Sequence, residues 1–104
     1  MDCIFCKIAN KEISTDFLRE SDKLIAFVDI HPKAPVHILV VPKNHIASVK
    51  ELNDGGLAGD MILEAKKLAE EKKLEGYKLV FNVGRAGGPE IDHLHLHLLG
   101  GFYF

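Results

Sequence analysis

The sequence has 104 residues, of which 47% are hydrophobic and 27% are charged, a composition typical of globular chains and unlike disordered ones. The 13 basic and 15 acidic residues leave a formal net charge of -2, which favours neither nucleic acid nor an anionic membrane as a partner. No apolar run approaches the roughly 20 residues of a membrane span, and the first residues do not resemble a signal peptide. We therefore expect a single domain over residues 1–104, located in the cytoplasm.

The first half of the chain has the pattern of short strands. Apolar runs at 17–20 and 24–29, separated by a Ser-Asp turn, predict a hairpin. Two prolines make 30–35 a loop, and the β-branched run at 37–41 is typical of a buried strand.

After residue 53, apolar residues recur every three or four positions and predict one long helix. Asn53 or Asp54 is suited to cap its start, and Gly76 to take the left-handed position beyond its last turn. The stripe expected to face the core comprises Leu57, Met61, Ile62, Ala65, Leu68 and Ala69.

The remaining segments are a strand at 77–82, a glycine-rich loop at 84–89 and a last strand at 93–99. Five strands and one long helix, without regular β-α alternation, predict an α+β domain with a mostly antiparallel sheet.

Three of the six histidines lie in the last strand, where residues 92–97 read DHLHLH. Side chains alternate along a strand, so His93, His95 and His97 are expected on one face and the leucines on the core face. Three interpretations follow: buried, hydrogen-bonded histidines, a zinc site, or nucleophilic catalysis by a neutral imidazole. The preceding glycine-rich loop supports the interpretation as nucleophilic catalysis, because its backbone N–H groups are suited to hold phosphate oxygens.

This pattern resembles the His-φ-His-φ-His-φ-φ signature of the histidine triad (HIT) family, where φ is a hydrophobic residue. The segments 3–8, 26–30 and 37–46, together with Asn82, also follow the order and spacing of that family. The resemblance extends over nearly the whole chain and is strongest to the small nucleoside phosphoramidases. It implies the HIT fold, with a short N-terminal helical segment beside the sheet and the long helix.

The resemblance also implies roles for individual residues. His95 matches the nucleophile that forms a nucleotidyl-imidazole intermediate, His97 a residue that hydrogen-bonds the phosphate, and His37 a fourth histidine beside the triad. Asp29 matches the residue that binds the ribose hydroxyls. The other positions implied to bind the nucleotide are Phe5, Ile30, Asn82 and Gly88, with Phe5 and Ile30 equally suited to core packing.

Cys3 and Cys6 alone form half of a metal site, because a closed tetrahedral zinc needs two further ligands. The resemblance supplies His45 and His93 and so implies a structural zinc. No catalytic metal is expected, since His95 is left for the chemistry. His31 matches no family role and is expected on an exposed loop.

The implied activity is hydrolysis of purine nucleoside phosphoramidates or related nucleoside monophosphate derivatives by a homodimer. The alternatives are a dinucleoside polyphosphate hydrolase and a nucleotide-binding module with little turnover. One departure bears on this choice, because Pro89 and Glu90 stand where the family usually has Gln-Ser. A carboxylate there lacks the hydrogen-bond donor of serine, which affects leaving-group specificity.

Overall fold

The computed structural model describes residues 3–88 and 91–102, and its strands form one antiparallel sheet in the order β1-β2-β3-β5-β4. The expected α+β class, long helix and short N-terminal helix are therefore confirmed. Within the described residues, no helix is long and apolar enough to cross a membrane. The elements in chain order are α1 (Ile4–Ala9), β1 (Arg19–Glu20), β2 (Leu24–Val28), β3 (Val36–Pro42), α2 (Gly55–Glu71), β4 (Tyr77–Val80) and β5 (Leu96–Gly100), with 3-10 turns at Val49–Glu51 and Arg85–Gly87.

The sheet separates two apolar clusters, because alternate residues of each strand point to opposite faces. Helix α2 covers one face, where Leu94, Leu96 and Leu98 are buried as predicted. Helix α1 lies on the other face. The apolar cluster between α1 and this face of the sheet consists of Cys3, Phe5, Ile8, Ala9, Ile25, Phe27, Leu39 and Val41.

Helix α2 begins where the sequence predicts and ends earlier. Asp54 caps its start, with Oδ1 accepting from the N–H of Leu57 at 3.1 Å. At its end Lys73, not Gly76, adopts the left-handed conformation (φ 55°), and the N–H of Leu74 donates to the carbonyl of Ala69. Leu74 then packs against the apolar core between α2 and the sheet, the hydrophobic contact that accompanies this type of helix end.

The apolar stripe of α2 was predicted correctly except at Ile62. Its other predicted members are buried, whereas Ile62 is 44% exposed. This side chain lies at the margin of the stripe, beyond the part of α2 that the sheet covers.

The last strand is shorter than predicted, since β5 begins at Leu96 rather than at His93. Its pairing with β3 stops at Val40, opposite Leu96. Beyond this point, Nε2 of His93 donates a hydrogen bond to the carbonyl of Pro42, and the N–H of Leu94 donates to the carbonyl of Ile46. A side chain and a loop thus replace the regular ladder before β5.

Candidate active site and metal site

A cleft of about 750 Å³ opens on the α1 face of the sheet. One end is polar and contains Asp29, His37, Asn82, His95 and His97. The rest of the cleft is largely apolar, and its walls include Ile4, Phe5, Ile8, Ile13, Phe27, Val28, Ile30, Leu39 and Ile91.

His95 stands at the polar end with one ring nitrogen engaged. Its Nδ1 lies 2.6 Å from the backbone carbonyl of His93, which can only accept, so Nδ1 carries the proton and donates. In the neutral ring Nε2 therefore has a free lone pair. His95 is 9% exposed and lines the cleft, so this geometry suits a nucleophile.

His37 and His97 form a directed hydrogen-bonded pair beside His95. The backbone N–H of Lys33 donates to His37 Nδ1 at 3.0 Å, so the proton of the neutral His37 ring is on Nε2. That nitrogen lies 2.9 Å from His97 Nδ1 and donates to it, which places the proton of His97 on Nε2. Buried His97 Nε2 has no hydrogen-bond partner among residues 3–88 and 91–102. The pair therefore ends in one unused donor.

Burial keeps both rings of this pair neutral. Desolvation, with a smaller contribution from the nearby His95 and His37, lowers the pKa of His97 from 6.5 to about 4. Desolvation also lowers the pKa of His37, against the opposing effect of the Asp29 carboxylate. A neutral His97 has one donor and one acceptor nitrogen, as the hydrogen bonds require.

Asp29, His37 and His97 together have the composition of a second metal site. The hydrogen bond from Lys33 argues against this use, because it leaves a proton, not a lone pair, on the inward nitrogen of His37. Asp29 Oδ2 lies 3.5 Å from that nitrogen, while Oδ1 accepts from the N–H of His31 at 2.8 Å. In this tautomer the group is therefore poorly suited to bind a cation.

The predicted ligands Cys3, Cys6, His45 and His93 do come together. Their ligand atoms lie within 4.8 Å of one another. His45 Nδ1 is 3.2 Å from His93 Nδ1 and 3.3 Å from Cys6 Sγ, and Cys3 Sγ is 3.2 Å from His93 Nδ1. Tetrahedral zinc, with bonds of about 2.0 Å to nitrogen and 2.3 Å to sulfur, implies separations of about 3.3 to 3.7 Å, so the group matches that geometry.

Hydrogen bonding prepares His93 as a ligand. Its Nε2 donates to the carbonyl of Pro42 at 2.8 Å, so the lone pair of Nδ1 faces the thiols. The ring is completely buried, and desolvation lowers its pKa, which favours the neutral form that binds metal. Desolvation and the neighbouring Cys3 raise the pKa of the Cys6 thiol, so without a metal that thiol stays protonated.

The remaining predicted residues lie around the cleft. The side-chain N–H of Asn82 donates to the carbonyl of Gly87 at 3.0 Å and so holds the glycine loop, while Gly88 lines the cleft in the left-handed conformation. Ile30 is 83% exposed at the cleft wall, whereas Phe5 is buried against His95. His31 is exposed, as expected, and Pro89 and Glu90 lie outside the described residues.

Sequence reasoning missed two backbone groups, the Lys33 amide and the Pro42 carbonyl, which fix the tautomers of His37 and His93. Backbone groups leave no signature in residue identity. The one available signal was position, because Lys33 stands in the proline loop and Pro42 ends the strand that carries His37.

Comparisons with known proteins identify the family and the fold. The family model described as the scavenger mRNA decapping enzyme C-terminal binding domain matches residues 2–102. Purine nucleoside phosphoramidase from Escherichia coli K12 is 41% identical, over 96% of this chain and 87% of that protein. A HIT family hydrolase from Legionella pneumophila superposes with a TM-score of 0.94 at 47% identity, covering 98% and 95% of the two chains. A zinc-bound histidine triad protein from Mycobacterium smegmatis has a TM-score of 0.87 at 25% identity, covering 96% and 75%.

Proposed function

This chain belongs to the histidine triad family, and we propose that it is a hydrolase of purine nucleoside phosphoramidates and related nucleoside monophosphate derivatives. The observation that carries the proposal is the free Nε2 lone pair of His95, at the polar end of the cleft and beside the unused donor of His97. A nucleophile and a phosphate donor are thereby combined with an apolar surface that suits a base.

The reaction proceeds in two displacements at phosphorus. His95 Nε2 attacks, a phosphorus–nitrogen bond to the imidazole forms, and the bond to the substrate amine breaks as the amine takes a proton from solvent water and leaves. The ring then carries a positive charge, which the hydrogen bond from Nδ1 to the carbonyl of His93 stabilises. Water attacks the intermediate, loses a proton, and displaces His95 as a neutral imidazole.

The other cleft residues bind the nucleotide. His97 Nε2 donates to a non-bridging phosphate oxygen, which supplies its missing partner. Asp29 Oδ2, not used by the turn at His31, accepts from the ribose hydroxyls. The apolar part of the cleft buries the base, with Ile30 on the open side.

The ligand set of the metal site supports a structural zinc. Cys3, Cys6, His45 and His93 would hold it and occupy all four positions, so none remains for substrate or water. When bound, the ion joins the N-terminal segment to the end of β3 and to the segment before β5.

A homodimer is also part of the proposal. Strand β4 pairs only with β5 among the described strands, and Tyr77 and Leu79 are more than a third exposed on it. Helix α2 presents Ile62 and Leu63, which are 44% and 55% exposed. Sedimentation at tens of micromolar should show a dimer that Leu63→Glu converts to a monomer.

The decisive experiment compares hydrolysis of adenosine 5′-phosphoramidate with that of a diadenosine polyphosphate, for the parent protein and for His95→Ala. We expect preference for the phosphoramidate, loss of at least about a thousandfold in kcat for the variant, and retained AMP binding by calorimetry. Preference for the dinucleotide would favour a polyphosphate hydrolase, and AMP binding without turnover a binding module. A substantial residual rate in His95→Ala would contradict covalent catalysis.

A further inference from the structure

The backbone amide of Lys33 determines the direction of the hydrogen bonds through His37 and His97. The amide of Lys33 has a proton and no available lone pair, so its 3.0 Å contact with His37 Nδ1 has only one direction. His37 is 2% exposed, which leaves little room for water to compete for that nitrogen. One backbone N–H therefore decides which nitrogen of each ring carries the proton.

We propose that the Lys33 backbone amide is a positioning group for hydrolysis, because it holds His37 and His97 in the tautomers that present the His97 Nε2–H to the substrate phosphate. This inference rests on the proposed function and assigns a role to the Lys33 amide, which that function leaves unexplained. The amide touches no reacting atom and acts through two imidazole rings.

The opposite arrangement would oppose phosphate binding. If His37 carried its proton on Nδ1, its Nε2 would accept from His97 Nδ1, and His97 Nε2 would present a lone pair to the phosphate oxygen. The hydrogen bond from His97 Nε2 to the phosphate oxygen would thereby be replaced by repulsion between two lone pairs. Removal of one such donor to a developing oxyanion costs about 100- to 1000-fold in kcat.

A second contact from the same loop favours the same tautomer. The Asp29 carboxylate only accepts, and its Oδ2 lies 3.5 Å from His37 Nε2, so it favours a proton on that nitrogen. The N–H of His31 holds Oδ1 of Asp29. The loop between β2 and β3 thus acts on both nitrogens of one buried ring.

The test separates the amide from the Lys33 side chain. Lys33→Pro removes the N–H, whereas the matched variant Lys33→Ala keeps it and removes the ammonium group. Long-range 1H–15N spectra of the histidine rings report the tautomers directly, with or without bound AMP. We expect the Nε2–H form of His37 in the parent and in Lys33→Ala, and a shift toward Nδ1–H in Lys33→Pro.

Kinetics provide the second measurement. Lys33→Pro should lower kcat on adenosine 5′-phosphoramidate by on the order of 10- to 100-fold, with KM changed less than about threefold. In a His37→Leu background, the proline should cause no further loss in kcat, because the ring through which the amide acts is gone. If the proline prevents folding, an ester bond in place of the Lys33 amide removes the same proton and keeps the side chain.

The outcomes decide the inference. It is overturned if Lys33→Pro, or the ester, keeps the parent tautomers, or if the proline costs the same factor in kcat with and without His37. If the parent hydrolyses no phosphoramidate, the proposed function fails, while the spectra with bound AMP still show whether the amide sets the tautomers.

Discussion

The ring of Phe5 meets the ring of His95 edge to face, with the centroids 5.2 Å apart and the planes at 81°. The same ring lies 5.8 Å from that of His93. Phe5 is 4% exposed and belongs to the cluster under α1. The packing of a six-residue helix therefore takes part in orienting the proposed nucleophile.

Phe5→Leu should lower kcat more than its effect on stability would suggest. Leucine fills much of the space but lacks the flat edge against His95, so the imidazole gains freedom away from the attacking orientation. We expect about a tenfold loss in kcat and a loss of about 1 kcal/mol in the free energy of unfolding, measured by steady-state kinetics and urea denaturation.

Ile25→Val provides the control, since Ile25 is fully buried in the same cluster and does not line the cleft. It should cost a similar free energy of unfolding and leave kcat within about twofold. Equal effects of the two variants on kcat would show that only general packing matters.

Removal of the metal should destabilise the fold with little effect on the chemistry. A chelator should lower Tm by roughly 10 °C or more, because a zinc bound at the proposed site would connect three segments that are distant in sequence. Cys6→Ser should have the same effect, and the chelator should not change Tm of Cys3→Ser/Cys6→Ser. Initial rates, measured well below Tm, should change only modestly. Loss of hydrolysis without loss of Tm would place the metal in the reaction.

Acid should destabilise the protein through His97. The folded pKa of about 4 lies below the ordinary 6.5, so the unfolded chain takes the proton first as the pH falls. Stability is complete above pH 6.5 and is lost toward pH 4. Between pH 7 and pH 4.5 the contribution is about 2 kcal/mol.

Urea denaturation of the parent and of His97→Gln should reveal this difference in pH dependence. The Cys3→Ser/Cys6→Ser background excludes acid release of a metal. The groups that face His97 are His37, His95, Asp29 and Lys33, and all remain in both proteins. Identical pH profiles would show that His97 does not cause the acid loss.

Gly84 should be far less tolerant of alanine than Gly76. Gly84 has φ 69° and ψ 164°, a conformation that residues with a Cβ rarely adopt, and an added Cβ would lie 2.9 Å from Lys50 Nζ. At Gly76 an added Cβ would meet no atom within 4 Å, and φ is not in the left-handed range. Gly84→Ala should cost about 1–3 kcal/mol in thermal unfolding and Gly76→Ala almost nothing.

The sequence predicted the elements well because their apolar patterns are pronounced. The stripe from Leu57 to Ala69 has a clear helical period, the β-branched run before Pro42 is continuously apolar, and tertiary packing agrees with both. Two of the errors at element ends have a common cause. At Lys73 and at His93, tertiary contacts decide where regular structure ends: the packing of Leu74 against the core, and the hydrogen bond from the ring of His93 to the carbonyl of Pro42.

The sequence identifies the residues that the structure brings together in the candidate site, but not the directions of the hydrogen bonds among them. The pattern of histidines identifies the side chains, and the structure brings all four predicted metal ligands together. Which nitrogen of each ring carries a proton depends on carbonyl and amide groups that every residue possesses. The identities of the side chains therefore do not show which backbone groups make these contacts.

The proposed nucleophile and the metal site meet at His93, but they use different parts of it. The imidazole of His93 faces the cysteines, whereas its backbone carbonyl accepts from His95 Nδ1. A carbonyl is available from any amino acid at that position. The chemistry is therefore separable in evolution from the metal, and a chain of this fold can exchange its cysteines and the first histidine for a packed apolar cluster while keeping the same acceptor for its nucleophile.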